Sequence, residues 1–543
     1  MPASPKSTAD QAKPQKDSIA SCDRSFGYSC YVLLLIPIIL FLNSLYIPPT
    51  VISDSAVGLL ALRNMLGGGA FNTIITPDPA NVANDLLTFL TWWSPGQYLA
   101  PGFFIWLGTS YGVALSLTTL IATVTGVLGW MQVARSFGVS YFVLFVFVLG
   151  LNTFPYVTQR FLGYWGGEML LFAIAPWALF AMRWSAHKRP IICFTISLLS
   201  AALLFFAKLA GLLVFATNVV AISLIALVNQ RRLDSSAIAM WVASALAALC
   251  MMFWIGRGPV AADMSTVPFS WFPILFSVTG AAFSGIYGVA LFLGHPWMQI
   301  NLQWATGVLG PLGLLLIVWV WSRLRDTRYR HMAVLLLAIV LIYAIAVAIT
   351  LRHLRAVSFE DRHFRYAGIL LFLLLLTAAD QWRAPLAKGL ILALVSVLGL
   401  YGLRNYATSA YAQMRAGYYE PMSGISLNVS PAILEYIRSE VTRDNLQRPV
   451  ALIPSPSAAI GLPRFRFIFI GWEQQPVRWA GRVFIGWEQQ PLTWAGRAEK
   501  IFVVVSEEML LSKQAEAILR SFTDYDIDGW SQMKLGGMII YTQ

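Results

Sequence analysis

Five short stretches of this 543-residue chain hold charged groups inside or beside otherwise apolar sequence. Asp54 sits in S-D-S-A at 53 to 56, soon after the first apolar run. Arg160 lies shortly before Y-W-G-G-E-M-L-L at 164 to 171, which carries Glu168. Lys208 interrupts an apolar stretch from Ile191 to Val228. A basic cluster comes last: Arg352, His353, Arg355, Arg362, His363 and Arg365. A carboxylate within reach of a hydroxyl can take its proton as that oxygen becomes a nucleophile. Cations opposite can absorb the negative charge that builds on a departing group. Acids and bases of these types, held at a membrane boundary, suit group transfer to a hydroxyl.

Each group also has a plainer explanation. Asp54 equally suits the cap of the helix that follows it. Glu168 would favour a helix N-terminus through the helix dipole. The basic cluster, with Glu360 and Asp361 beside it, also reads as a solvated loop touching lipid headgroups. Lys208 resists such an explanation, because ionisable groups deep in apolar spans are usually functional.

The elements that must position these residues are membrane helices. The chain is 57% hydrophobic and 12% charged, with mean hydropathy +0.65, whereas soluble domains carry roughly 25% charged residues. A span needs about 20 apolar residues. Such runs fall at Tyr28 to Tyr46, Tyr111 to Val133, Tyr141 to Tyr156, Gly167 to Met182, Ile191 to Ala207, Gly211 to Val228, Ile238 to Ile255, Trp304 to Trp321, Ala333 to Leu351, Tyr366 to Ala379 and Leu390 to Tyr406. The expected fold class is an all-α polytopic membrane domain of about eleven spans with a small extracytoplasmic C-terminal α/β domain.

The net charge of +12 is explained by basic groups at helix ends rather than by nucleic-acid binding. Arg135; Arg183, Lys188 and Arg189; Arg231 and Arg232; Arg323, Arg325, Arg328 and Arg330; and Arg383 with Lys388 all fall in alternate loops. The positive-inside bias makes those loops cytoplasmic. Residues 1 to 26 then form a disordered cytoplasmic tail. Residues 27 to 407 form the membrane domain, with a first outer loop at 47 to 110, and residues 408 to 543 lie outside. The cations Arg160, Lys208, Arg257 and the 352 to 365 cluster face outward, against that bias. None of the four cysteines has metal-ligand spacing.

Within the outer loop, Ser55 to Leu66 reads as a surface helix with Val57, Leu60, Ala61 and Met65 on its apolar face, stopped by Gly67 to Gly69. SPGQYLAPGFFIWLG, from Ser94 to Gly108, suits a second interfacial helix. Pro268 to Gly294 reads as an interfacial or re-entrant segment. In the C-terminal domain, Val450 to Ile453, Ile501 to Val505 and Met538 to Thr542 read as strands, and Ser512 to Phe522 as an amphipathic helix. A tandem repeat at 469 to 497, FIGWEQQPVRWAGR then FIGWEQQPLTWAGR, reads as a local duplication forming a hairpin or an inserted loop, since solenoids need three or more copies.

The order of S-D-S-A, S-P-G-Q-Y-L at 94 to 99, A-R-S-F-G at 134 to 138, Y-W-G-G-E-M-L-L and L-L-F-F-A-K-L-A-G-L-L at 203 to 213 resembles the C-type (GT-C) superfamily of polytopic membrane glycosyltransferases. It is most similar to the branch with protein O-mannosyltransferases, the lipid A aminoarabinose transferase and rhizobial galacturonosyltransferases. The resemblance covers roughly Tyr28 to Ala226, with an echo at E-D-R-H-F-R-Y from 360 to 366. It implies a sugar donor on a polyprenyl phosphate and transfer, with inversion, to a lipid, glycan or protein acceptor outside a bacterial inner membrane. By position, Asp54 matches the family's catalytic base, Glu168 a second acidic position that assists or holds a metal, and Lys208 the lysine of an L-T-K-G-type segment. Lys208, Arg160, Arg352, Arg362, His363 and Arg365 would hold the donor phosphate. Ser55 stands where many members have a second acidic residue, so a divalent metal is not assigned. No phosphate-cradling glycine loop is present, because Gly67 to Gly69 lacks the preceding strand and following lysine. The alternatives are a lipid-linked sugar transporter or flippase, or a non-catalytic envelope assembly protein.

Overall fold

A computed structural model describes residues 28–543 except 92, 231–233, 258–271, 285–301, 354–360, 383, 422, 428, 455, 463–464, 470–476, 480–481, 485–492 and 512–513. All eleven apolar runs are helical. They are α1 (Leu35–Ser44), α4 (Tyr111–Ser136), α5 (Tyr141–Thr153), α7 (Gly167–Ser185), α8 (Pro190–Ala207), α9 (Gly211–Gln230), α10 (Ser235–Ile255), α12 (Leu302–Leu324), α13 (Arg330–His353), α14 (Arg365–Asp380) and α15 (Pro385–Ala416). Between α1 and α4 come β1 (Thr50–Val51), α2 (Ser53–Leu66), β2 (Thr73–Asp78), β3 (Asn81–Phe89) and α3 (Gly96–Trp106). Short α6 (Pro155–Thr158) and β4 (Gly163–Tyr164) precede α7, and α11 (Phe272–Phe283) precedes α12.

Among the described residues, eight helices are long and apolar enough to cross a membrane; α5 with α6, bent by 48°, makes a ninth. Their outer faces are apolar. On α15, Leu386, Leu390, Leu394, Val397 and Leu400 are all more than half exposed and fall on one helical stripe, as a lipid-facing surface requires. This is a multi-pass membrane protein.

The loops expected to be cytoplasmic meet at one end of the bundle. Arg183 Nη1 donates to Ser136 Oγ at 2.7 Å, Ser140 Oγ to Asp380 Oδ2 at 2.8 Å, Lys388 pairs with Asp380 at 2.9 Å, and Tyr329 Oη donates to the Gly138 carbonyl at 3.3 Å. The first loop and the C-terminal domain meet at the other end.

The C-terminal domain contains β5 (Tyr419–Glu420), β6 (Ile425–Ser426), α16 (Pro431–Arg443), β7 (Val450–Ile453), α17 (Pro456–Ile460), β8 (Arg466–Phe469), β9 (Val477–Trp479), β10 (Arg482–Phe484), β11 (Ile501–Ser506), α18 (Glu507–Leu511), α19 (Gln514–Arg520), β12 (Ser531–Leu535) and β13 (Met538–Thr542). Five strands form one sheet in the order β12-β13-β11-β7-β8, parallel at β11–β7–β8. The three expected strands occupy its centre because their uninterrupted Val and Ile runs are buried on both faces. Across the repeat, β9 and β10 pair antiparallel with Arg482 opposite Trp479; most of the repeat lies outside the described residues. Helix α15 continues past Thr408 to Ala416, so the compositional boundary falls inside a helix that ends at Gly417 in the left-handed region.

Two features depart from expectation. Helix α2 does not lie on a surface: every residue from Ser55 to Leu62 is buried. Small residues allow this, since Gly58 packs directly on Tyr98 and Gln97 of α3. The second is the β2–β3 hairpin, unforeseen from the sequence, with Ile74 opposite Thr88 and Thr76 opposite Leu86. It docks on the C-terminal domain: Arg466 Nη1 donates to the Val82 carbonyl at 2.6 Å, and Arg448 contacts Asp85.

Candidate active site

The first loop carries three acids, and two have structural partners. Asp78 accepts from the Ala80 amide at 2.9 Å and closes the hairpin turn, while Asp85 binds Arg448 and lies 3.6 Å from Arg466. Asp54 faces elsewhere. Its capping explanation fails, because Ile52 holds the cap position of α2 and Asp54 lies in the first helical turn. Its Oδ2 accepts instead from Arg362 Nη1 at 3.4 Å, a residue 308 positions away.

The glycine pair places Glu168. Gly166 has φ +53° and a Cβ there would come 2.5 Å from Ser55 Oγ, so only glycine lets β4 turn into α7 against α2. A Cβ on Gly167 would lie 2.5 Å from the Ala207 carbonyl oxygen and 3.2 Å from Lys208 Cβ, which brings the start of α7 onto the end of α8. Lys208 is the extended residue that ends α8, and its Nζ contacts Glu168 Oε1. The helix dipoles support both groups, the carboxylate in a first turn and the ammonium at a C-terminus. Gly166→Ala is expected to destabilise the protein by roughly 1–3 kcal/mol and to lower activity, measured as thermal unfolding in detergent beside turnover; an unchanged unfolding temperature would reject this placement.

The basic turn is positioned by α11, at the centre of the segment expected to be interfacial or re-entrant. A 3-10 turn, Asp361–Phe364, carries Arg362 and His363 and leads into Arg365 at the start of α14. Phe364 fills the space left by Gly280 and meets Phe276 edge-on at 5.7 Å. Tyr343 Oη donates to the His363 carbonyl at 2.7 Å. Glu168 feels the charges of Lys208, Arg365 and Arg362, and His363 those of all four. Arg352 and His353 end α13, but their side chains, like Arg355, lie outside the described residues.

Two guanidiniums enclose Tyr156, an aromatic residue that sequence reasoning passed over as the end of a span. Arg160 Cζ lies 5.0 Å and Arg365 Cζ 5.3 Å from its ring centroid; Arg160 also covers Phe172, and Arg365 covers Trp165. Aromatic faces attract cations, which eases the burial of two like charges. Arg160 is 2% exposed, and among the described residues Nε and Nη1 of both arginines and Nε2 of His363 have no hydrogen-bond partner. Buried donors of this kind usually have a partner. Flanking aromatics in P-Y-V-T-Q-R and Y-W-G-G were the sequence signal. Arg257 covers the Phe89 ring of β3.

Exposure separates the two carboxylates. Asp54 is 26% exposed and Glu168 5%, so Asp54 is the more open of the two to solvent. Among the described residues, no three His, Cys, Asp or Glu side chains gather as a metal site. At the far end of α2 a cleft of about 290 Å³ opens between Arg63, Ile75, Asp85, Arg448, Phe465 and Phe467.

No family model matches the chain, and no curated protein matches it. Solved structures do, among them two crystal structures of ArnT from Cupriavidus metallidurans, one bound to undecaprenyl phosphate (TM-score 0.54) and one in the apo state (TM-score 0.51). Each is 12% identical to this chain and covers 94% of it and 97% of its own length. The chain therefore has the fold of ArnT, that of the GT-C polytopic membrane glycosyltransferases its motifs resemble.

Proposed function

We propose that this protein is a membrane glycosyltransferase that moves a sugar from a polyprenyl-phosphate donor to an acceptor hydroxyl, with inversion, on the outer side of a bacterial inner membrane. Its N-terminus is cytoplasmic and its C-terminal domain periplasmic. The observation that carries the reading is a partly open carboxylate, Asp54, 3.4 Å from Arg362 at the edge of a buried cationic pocket, in a chain with the fold of a protein that binds undecaprenyl phosphate.

In this reading Asp54 takes the acceptor proton, the acceptor oxygen forms its bond to the anomeric carbon, and the bond from that carbon to the phosphate oxygen breaks with its electron pair on the phosphate. Attack opposite the leaving group inverts the anomeric centre. Arg160, Lys208, Arg362 and Arg365 face Asp54 and Glu168, an excess of two positive charges. The leaving phosphate monoester carries about two negative charges at neutral pH, one more than the donor diester, so the pocket favours charge as it develops. His363 Nε2, buried and without a partner among the described residues, would add a donor. Lys208 has three N–H donors, enough to keep Glu168 and meet a phosphate oxygen. Glu168 holds that lysine in place. The C-terminal domain and its cleft would shape acceptor binding.

Binding tests the pocket directly. Undecaprenyl phosphate is expected to raise the unfolding temperature of the purified protein, while the uncharged polyprenol does not, and Arg365→Ala removes the response. Equal shifts with the two lipids would reject a phosphate site.

A further inference from the structure

Asp54 and Glu168 are 114 residues apart, yet both leave the same small sheet. Its four strands run in the order β4-β1-β6-β5. Strand β1 ends at Val51, three residues before Asp54; β4 ends at Tyr164, four residues before Glu168. They pair in parallel, Thr50 opposite Gly163 and Val51 opposite Tyr164. The Thr50 amide donates to the Leu162 carbonyl at 2.8 Å, and Thr50 Oγ1 to the same oxygen at 3.1 Å. Pro48 and Pro49 hold the approach extended, as proline does to itself and the residue before it.

The third strand comes from the C-terminal domain. Thr50 faces Ser426 of β6, and the Ser426 amide donates to the Pro49 carbonyl at 3.1 Å. Behind it, β5 and β6 form a tight hairpin closed by Glu420, whose Oε2 accepts from the Ser423 amide and hydroxyl at 2.6 Å each and whose Oε1 accepts from Arg438 at 2.9 Å. Glu420 is 1% exposed. The hairpin also rests on α4: the Gly112 amide donates to the Ser423 carbonyl at 3.1 Å, and a Cβ on Gly112 would overlap the Gly424 carbonyl oxygen.

We infer that the β5–β6 hairpin of the C-terminal domain is a positioning element for the reaction, its strand β6 fixing β1 and thereby the reach of Asp54 toward the acceptor. A two-residue strand has few bonds, so β1 is held by its neighbours or not at all. Lys208, Arg160 and Arg365 are carried by elements that do not pair with β6, so the donor pocket depends on β6 less directly than Asp54 does. The inference rests on the transferase reading above.

The test is steady-state transfer from a polyprenyl-phosphate sugar by the full-length protein, with Ser426→Pro, which deletes the amide bonded to Pro49, and Ser426→Ala, which keeps it. Ser426→Pro is expected to lower kcat about 100-fold, the scale of a misplaced catalytic group, with donor KM and undecaprenyl phosphate binding unchanged. Ser426→Ala is expected to restore kcat. Gly112→Ala, which pushes the hairpin from outside the sheet, is expected to act in the same direction. Wild-type kcat in Ser426→Pro, or loss of kcat and donor binding together, overturns the inference. Transfer retained in Asp54→Asn would instead overturn the functional reading and leave the hairpin without that role.

Discussion

Asp54→Asn is expected to lower transfer by about 10²–10⁴-fold, the usual contribution of a general base, while undecaprenyl phosphate binds as to the wild type. The two side chains have the same size, and the amide oxygen of asparagine still accepts from Arg362, so the 3.4 Å contact that orients Asp54 survives. What disappears is the capacity to take a proton. A loss confined to kcat marks a group that acts as the transition state forms. Glu168→Gln gives the contrast: its carboxylate is 5% exposed and already paired, so its loss acts through Lys208 and weakens donor binding together with turnover. A transporter of lipid-linked sugar would keep its activity in Asp54→Asn, and a binding protein would show no transfer to lose. Retained transfer in this variant removes Asp54 from the mechanism.

Much of the site was legible because charge is costly among apolar residues, so each charged position stood out. Lys208 divides α8 from α9, and Glu168 opens α7, as their places in the sequence indicated. Helices were legible for the same reason, since lipid requires every backbone group to be satisfied within a segment. Pairing was not. Nothing in local periodicity joins Arg362 to Asp54, or Ser426 to Thr50, across hundreds of residues. The β2–β3 hairpin had a signal in its P-D-P-A turn between Thr, Ile and Val runs, but its long polar surroundings read equally as loop. Asp78 and Asp85 share the first loop with Asp54, and only their partners set them apart from it. Gly280, inside the segment read as interfacial or re-entrant, is a socket for Phe364. The C-terminal domain looked separable by composition, whereas β6 and the Arg63 bonds to Ala459 and Leu462, at 2.7 and 3.2 Å, join it to the first loop. Deleting everything after Thr408 would therefore strip supports from α2 and β1 along with any acceptor surface.

Lys208→Met is expected to be the most destabilising single substitution in the site. Glu168 is nearly sealed from solvent, and removing its partner leaves a carboxylate without a nearby counter-ion of its own, a change that costs roughly 3–5 kcal/mol when buried pairs are broken. Arg362 and Arg365 act on Glu168 from farther away and offset part of that cost. The reverse substitution, Glu168→Gln, is expected to cost less, because Lys208 is 24% exposed and its ammonium can turn to water. This asymmetry distinguishes a buried pair from a surface one, where either substitution costs about 0–1 kcal/mol. Replacing both, Glu168→Leu with Lys208→Met, is expected to recover most of the stability, since apolar groups of similar volume substitute well for a buried ion pair. Transfer separates structure from chemistry: the double variant folds but keeps the donor-binding loss of Lys208→Met, because the phosphate has lost one of its cations. Unfolding in detergent and undecaprenyl phosphate binding, measured for the wild type, Glu168→Leu, Lys208→Met and the double variant, complete the cycle. A double variant that recovers both folding and donor binding would show that Lys208 serves only to neutralise Glu168.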